Sequence, residues 1–321
     1  MLEKPKILAV AGPTASGKTA LSIALAHRLN GEIVSIDSMQ VYRGMDIGTA
    51  KPTLEEREGV PHHLIDILEP DQAFSVADFL VHAKAAVSDV LSRGKLPILC
   101  GGTGLYLDAF LRGGLAETPG ANEELREELH QIAKDKGEHF LHEELQRVDP
   151  ESAAATPPAN VRRVVRALEI YRLTGTPKSE WDRRSRELPL SYHAAVIGLC
   201  FNDRALLYDR IDRRVDEMMA NGLLDETKRL LDQDVFLRSP TAAAAIGYKE
   251  LLPYFSGECT LEDAVAQLKT STRRYAKRQQ TWFAAKPYVR KLFVDRDGNV
   301  RKSEEIVNNA LDFAHNAWSM L

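Results

Sequence analysis

The sequence predicts an α/β protein in which a mainly parallel sheet, flanked by helices, is interrupted by an inserted all-helical domain. Three observations predict it. Short apolar runs alternate with helix-period segments through the first third of the chain, the strand signal vanishes between about residues 116 and 189, and a strand-like run, "AAVIGLCF", returns at Ala194–Phe201. Such alternation implies right-handed crossovers and parallel strands covered on both faces. The expected division is a core of residues 1–115 and 190–321 around a helical insertion at 116–189.

Each element has its own local reason. "KILAVAG" is an apolar run that ends in glycine, "GKTALSIALAHRLN" has helical periodicity, and "EIVSID" reads as a second strand. "SVADFLVHAKAAVSDVLSRG", "KLPILCGG" and "TGLYLDAFLRG" then read as helix, strand and helix. The insertion is charged and helical, with "NEELREELHQIAKDKGEHFLHEELQRV" followed by "NVRRVVRALEIYRLTG". After the return strand come helices broken at Gly222, Gly247 and Pro253, a late strand "VRKLFVD" and a final amphipathic helix. Ligands of parallel sheets sit at the carboxyl ends of strands. Three such ends therefore mark the site: Gly12–Thr19, Asp37–Gln40 and Gly101–Gly104.

Composition narrows the function classes. With 321 residues, 44% of them hydrophobic, the chain can bury a large core. A net charge of −4 excludes the overall basic balance of many nucleic-acid binders, so a nucleic-acid site must be local. Two basic clusters qualify, Asn160–Arg172 and "STRRYAKRQQTWF" at Ser271–Phe283, although Trp282 and Phe283 suit a core as well as a stack. No apolar run approaches a bilayer span and "MLEKPK" leads straight into a strand, which predicts a cytoplasmic protein without membrane contact. The three cysteines lack C-x-x-C spacing and read as reduced thiols. His62, His63 and Asp66 are assigned a structural role, because adjacent histidines on a strand point apart. Nothing in the sequence signals an obligate protein partner.

"AVAGPTASGKTALSIAL", Ala9–Leu25, fits G-x-x-x-x-G-K-[ST] with Gly12, Gly17, Lys18 and Thr19 in place. A strand before it and a helix after it make this a phosphate loop on a P-loop NTPase-like core, with Gly12, Pro13, Thr14, Ala15, Ser16, Gly17, Lys18 and Thr19 around the anion. Lys18 supplies a point charge, and the Thr19 hydroxyl is placed to ligate Mg²⁺. The loop alone fits kinases, ATPases and GTPases equally. Yet no N-K-x-D motif reads guanine, and no h-h-h-h-D strand supplies a second Mg²⁺ ligand.

"DSMQVYRGMDIGTAKP", Asp37–Pro52, resembles the signature of the tRNA dimethylallyltransferases, also called tRNA isopentenyltransferases. "GPTASGKTAL", "HHLIDI", "GGTGLYL", "RRVVRALEIYRLTG", "DRIDRRVDEMMANG", "AIGYKEL" and "RRYAKRQQTWF" resemble further segments of that family, in the family's order. The resemblance implies a zinc-free, bacterial-type member. It implies that the loop holds the diphosphate of dimethylallyl diphosphate, with Mg²⁺, while the exocyclic amine of the adenosine 3′-adjacent to the tRNA anticodon attacks the allylic carbon. By motif position Asp37 is then the base, Thr103 contacts the target base, and Arg214 helps stabilise the leaving group. Ser38, Met39 and Gln40 continue into the pocket for the flipped base. Arg162, Arg163, Val164, Val165 and Arg166 form the segment that contacts the tRNA anticodon stem-loop, although the same helix also reads as amphipathic with a buried face. A P-loop small-molecule or nucleotide kinase, and an adenylate prenyltransferase, remain the alternatives at this point.

Overall fold

The computed structural model describes residues 4–114 and 119–319. The expected boundary at 115/116 lies outside the described residues. The chain divides into two compact units, residues 112–191 and everything on either side.

The first unit opens with strand β1 (Lys6–Ala11), helix α1 (Lys18–Leu29), β2 (Gly31–Ser35), β3 (His62–His63), α2 (Val76–Ser92), β4 (Leu96–Gly101) and α3 (Gly104–Leu111). Residues Ile7–Ala11 of β1 are fully buried, as an apolar strand covered on both faces must be. Ser75 and Asp78 form a capping box that starts α2.

The second unit is helical: α4 (Glu123–Lys136), α5 (Glu138–Val148), α6 (Pro150–Ala155), α7 (Val161–Thr174) and α8 (Lys178–Glu187). Its core includes Leu129, Leu141, Leu145, Val164, Val165 and Leu168. Buried Glu169 ties it together, accepting from the Asn122 N–H at 2.8 Å, Arg126 at 2.9 Å and Arg166 at 2.6 Å.

The chain then re-enters the first unit through β5 (His193–Cys200), followed by α9 (Arg204–Ala220), α10 (Leu223–Asp232), α11 (Val235–Arg238), α12 (Pro240–Ala243), α13 (Leu252–Phe255) and α14 (Leu261–Ala284). It ends with β6 (Arg290–Phe293), a small hairpin of β7 (Asp295–Arg296) and β8 (Asn299–Val300), and α15 (Ser303–Ser319). The main sheet has six strands in the order β3-β2-β4-β1-β5-β6, and every pairing in it is parallel. The sequence-predicted fold class is therefore the observed one.

Strand order places the site. The chain runs from β1 past β4 to β2, and later returns to the other side of β1 with β5. Ala11 stands beside Gly101 on one side and Gly198 on the other, while Ser35 stands beside Cys100. The three strand ends thus come out side by side at a point where the connections diverge, the usual ligand crevice of an open sheet.

Between β2 and β3 the segment from Asp37 to Pro61 has no helix or strand to satisfy its backbone. Turns and a bridge from Tyr42 to Leu68 pair part of it, and Glu226 of α10 takes three further N–H groups from outside. Its carboxylate, 7% exposed with its residue, accepts the N–H groups of Asp46, Ile47 and Gly48, each at 3.0 Å, and the Tyr248 hydroxyl at 2.8 Å. Lys51 adds an ammonium 2.7 Å from Asp46, and it also reaches the Tyr42 carbonyl and Asp66.

Replacing Glu226 by Gln turns one acceptor oxygen into a donor that faces other donors. The E226Q variant is expected to lose about 2 kcal/mol of stability, the cost of an unsatisfied buried polar group. Denaturant titration against the wild type reads the loss, and a difference below about 0.5 kcal/mol would mean that the segment holds itself.

Candidate active site

Residues 12–19 curl between β1 and α1. Gly12 has φ +141°, and a Cβ there would stand 2.8 Å from the Leu199 carbonyl of β5, so only glycine fits. Ala15 takes φ 61° and Gly17 φ 90°, left-handed conformations that turn the loop inward. No side chain caps α1 and no acidic residue lies in its first turn, so its leading amides are open to an anion. Ser16 Oγ is buried without a hydrogen-bond partner. Pro13 offers its carbonyl to Lys18 Nζ at 2.6 Å.

Three charged groups meet at this point. Lys18 and Asp37 keep a partial opening to solvent, and so does Arg214 on α9. Burial pushes the Lys18 ammonium down to about 8, with nearby Arg214 acting in the same direction and Asp37 opposing it. Burial pushes the Asp37 carboxyl up, against the N–H groups of Met39 and Gln40 and the charges of Lys18 and Arg214. Asp37 Oδ1 accepts the Met39 N–H at 2.9 Å, so this side chain also fixes the turn that follows β2. Arg214 is likewise lowered by burial and has no hydrogen-bond partner among the described residues. Its neighbours on α9 are engaged: Arg213 pairs with Asp209, and Arg210 Nε donates to the Ala15 carbonyl at 2.9 Å.

Thr103, after β4, has a buried hydroxyl without a well-formed protein hydrogen bond. The Tyr275 hydroxyl is its polar neighbour, and burial pushes that phenol up to about 12. Ser38, Met39 and Gln40 line the segment beyond Asp37 and are half-buried. The Gln40 amide is occupied internally, accepting from Ser35 Oγ at 3.0 Å and donating to the Ala50 carbonyl at 3.2 Å.

The helix of residues 161–174 presents its basic positions unequally. Val164 and Val165 are 1% and 2% exposed and belong to the core of the second unit. Arg166 is held by Glu169 and by the Pro119 carbonyl at 2.9 Å. Arg162 and Arg163 are the exposed pair. On α14, Phe283 is buried and Trp282 is 39% exposed. His63 pairs with Glu32 at 2.8 Å, a structural contact.

A Mg²⁺ site can be tested against these groups. Among the described residues no cluster of three or more His, Cys, Asp or Glu side chains could cage a metal. The exposed Thr19 hydroxyl in the first turn of α1, beside open amides and an unpartnered Ser16 hydroxyl, is the kind of oxygen donor that would hold Mg²⁺.

Sequence reasoning missed Arg210, Glu226, Tyr275 and Gln279. Gln279 left a readable trace, since it sits in the buried stripe Ala276, Gln279, Phe283 of α14 where an apolar residue is expected.

A family model described as "IPP transferase" matches residues 40–286. The tRNA dimethylallyltransferase of Geobacillus thermodenitrificans is 53% identical over 278 residues, 87% of each chain. That of Thermoanaerobacter sp. is 45% identical over 96% of this chain and 97% of its own. Among solved structures, the full-length tRNA isopentenylpyrophosphate transferase from Bacillus halodurans is similar with a TM-score of 0.71 at 47% identity, covering 99% of both chains. A eukaryotic dimethylallyltransferase acting on tRNA gives a TM-score of 0.79 at 32% identity over 97% of this chain and 80% of its own.

Lysine must be charged to hold an anion, and burial brings the free Lys18 ammonium down to about 8. A bound diphosphate favours the ammonium, so above that pH binding takes up a proton and affinity falls, by up to about tenfold per pH unit. Calorimetry with an alkyl diphosphate from about pH 7 to 9.5 should show this decline in the wild type and lose it in K18M. A flat profile in the wild type would remove Lys18 from the anion site.

Proposed function

We infer the reaction from a premise the matches establish: this chain belongs to the IPP transferase family, and it is a tRNA dimethylallyltransferase. It moves a dimethylallyl group from dimethylallyl diphosphate to the exocyclic N6 amine of the adenosine 3′-adjacent to the anticodon, releasing pyrophosphate. One observation carries this reading: Asp37, just past the end of β2 with one oxygen held by the Met39 N–H, stands near two cations, Lys18 and Arg214, and the uncapped start of α1, and burial raises its proton affinity. A kinase needs the cations and the loop. A basic carboxylate beside them suits removal of a proton from a weak nitrogen nucleophile.

In the proposed chemistry the amine nitrogen bonds to the allylic carbon as the carbon–oxygen bond breaks, and the electron pair of that bond goes to the diphosphate oxygen. The amine proton passes to the Asp37 carboxylate. Lys18, Arg214 and the first amides of α1 stabilise the charge that grows on the departing diphosphate. Mg²⁺ at Thr19, when bound, would add to that neutralisation. Thr103 and the segment Asp37–Gln40 receive the adenine, which must leave its stack at a cost of a few kcal/mol, on the order of what a firm grip on the anticodon stem-loop offsets. Arg162 and Arg163 supply part of this grip. No helix among the described residues is long and apolar enough to cross a membrane, and the reading assigns the work to the cytoplasm.

Incubation with labelled dimethylallyl diphosphate, Mg²⁺ and either tRNA or AMP tests the assignment. Label should enter tRNA alone, and D37N should bind the diphosphate normally yet lose turnover by at least about a hundredfold, since the amide keeps shape and loses basicity. Label in AMP alone, or a D37N variant within a few-fold of wild type, would sink the substrate or the base assignment respectively.

The double variant R162Q/R163Q should raise the KM for tRNA and flatten its salt dependence, by at most about one unit of log–log slope per lost phosphate contact. Binding of dimethylallyl diphosphate should not change, because the phosphate loop belongs to the other unit. An unchanged KM and slope in a folded variant would leave these arginines as a solvated face.

A further inference from the structure

Gln279 is a buried amide, 6% exposed, on the apolar face of α14. Its two ends reach different loops. Oε1 accepts the Thr14 N–H at 2.9 Å, and Nε2 donates to the Gly102 carbonyl at 3.1 Å. The first loop is the proposed diphosphate site, and the second carries Thr103. The parallel ladder between β1 and β4 ends at Ala11 and Gly101. Beyond that pair, among the described residues, no backbone hydrogen bond joins the two loops. Gln279 accepts an N–H from one chain and donates to the carbonyl of the other, so it continues the ladder by one side-chain rung where the strands have already parted. The fit leaves no slack, for a Cβ on Gly102 would stand 2.0 Å from Gln279 Nε2. One turn earlier on the same helix, the Tyr275 hydroxyl faces Thr103 and the Gln279 side chain.

We propose that Gln279 is a positioning residue for the transfer reaction: by spanning Thr14 and Gly102 it sets the distance between the diphosphate loop and the loop on the adenine side. The inference rests on the dimethylallyl-transfer reading above. Each loop can bind its own substrate without the rung. What the rung fixes is their mutual placement, and a misplacement of about 1 Å between reacting atoms costs on the order of a hundredfold in rate.

The test compares wild type with Q279M, which keeps length and removes both hydrogen bonds, and with G102A, which pushes the amide out from the other side. Steady-state transfer to tRNA, direct binding of dimethylallyl diphosphate, tRNA binding and thermal melting are measured for each. Both variants should lose kcat by about 30-fold or more while either substrate binds within about threefold of wild type. The double variant Q279M/G102A should be no slower than the worse single one, because both changes break one rung. If Q279M melts far below wild type, G102A carries the test alone through the same split between kcat and binding. A kcat within twofold of wild type, a loss seen in diphosphate binding instead of kcat, or losses that multiply in the double variant would each overturn the proposal. A wild type that labels no tRNA would overturn the functional reading and this inference together, whereas an active wild type with an unaltered variant overturns this inference alone.

Discussion

The buried carboxylate of Glu226 holds the segment on which the site is built. Three consecutive backbone N–H groups at Asp46, Ile47 and Gly48, together with the Tyr248 hydroxyl, converge on its two oxygens. Donors left unpaired against so buried an acceptor would be costly, and the stretch after β2 has only turns and an isolated bridge of its own. Gln40 bridges back to Ala50, and Lys51 reaches the Tyr42 carbonyl, so the segment is closed on itself as well as anchored to α10. Asp37 can therefore sit at the end of a buried strand, with one oxygen committed to its own turn, and still face the phosphate loop.

How legible this was in the sequence follows from the range of each interaction. The alternation of strands and helices, the helical insertion and the phosphate loop are written in local patterns, and the fold class follows from them. Asp37, Lys18 and Thr103 could be nominated because each stands at a strand end or in a motif whose order resembles a known family, and the structure gathers their strand ends side by side. Glu226, Arg210 and Gln279 could not, since their partners lie 180, 195 and 265 residues away and a helix shows only its own periodicity. The helix at 161–174 shows the opposite failure. Its basic run reads as one surface, and only the packed unit separates the exposed Arg162 and Arg163 from core Val164 and Val165 and from Arg166, which neutralises buried Glu169.

The electrostatics of the site explain why a phosphate loop of this kind suits a leaving group attached to carbon. Lys18 and Arg214 are two cations held where burial disfavours their charge, with Asp37 the nearby anion that opposes it. That imbalance is unfavourable in the free protein, and in the proposed reaction an incoming diphosphate relieves it, so that binding energy is drawn from charges already in position. It grows more favourable as carbon–oxygen cleavage adds negative charge to the same oxygens, which makes the interaction stronger in the transition state than in the ground state. Asp37 runs the other way. In the proposed reaction, diphosphate engages its cationic neighbours, which then hold the carboxylate's proton affinity down less well, so Asp37 accepts the amine proton more readily at the stage when that proton must leave.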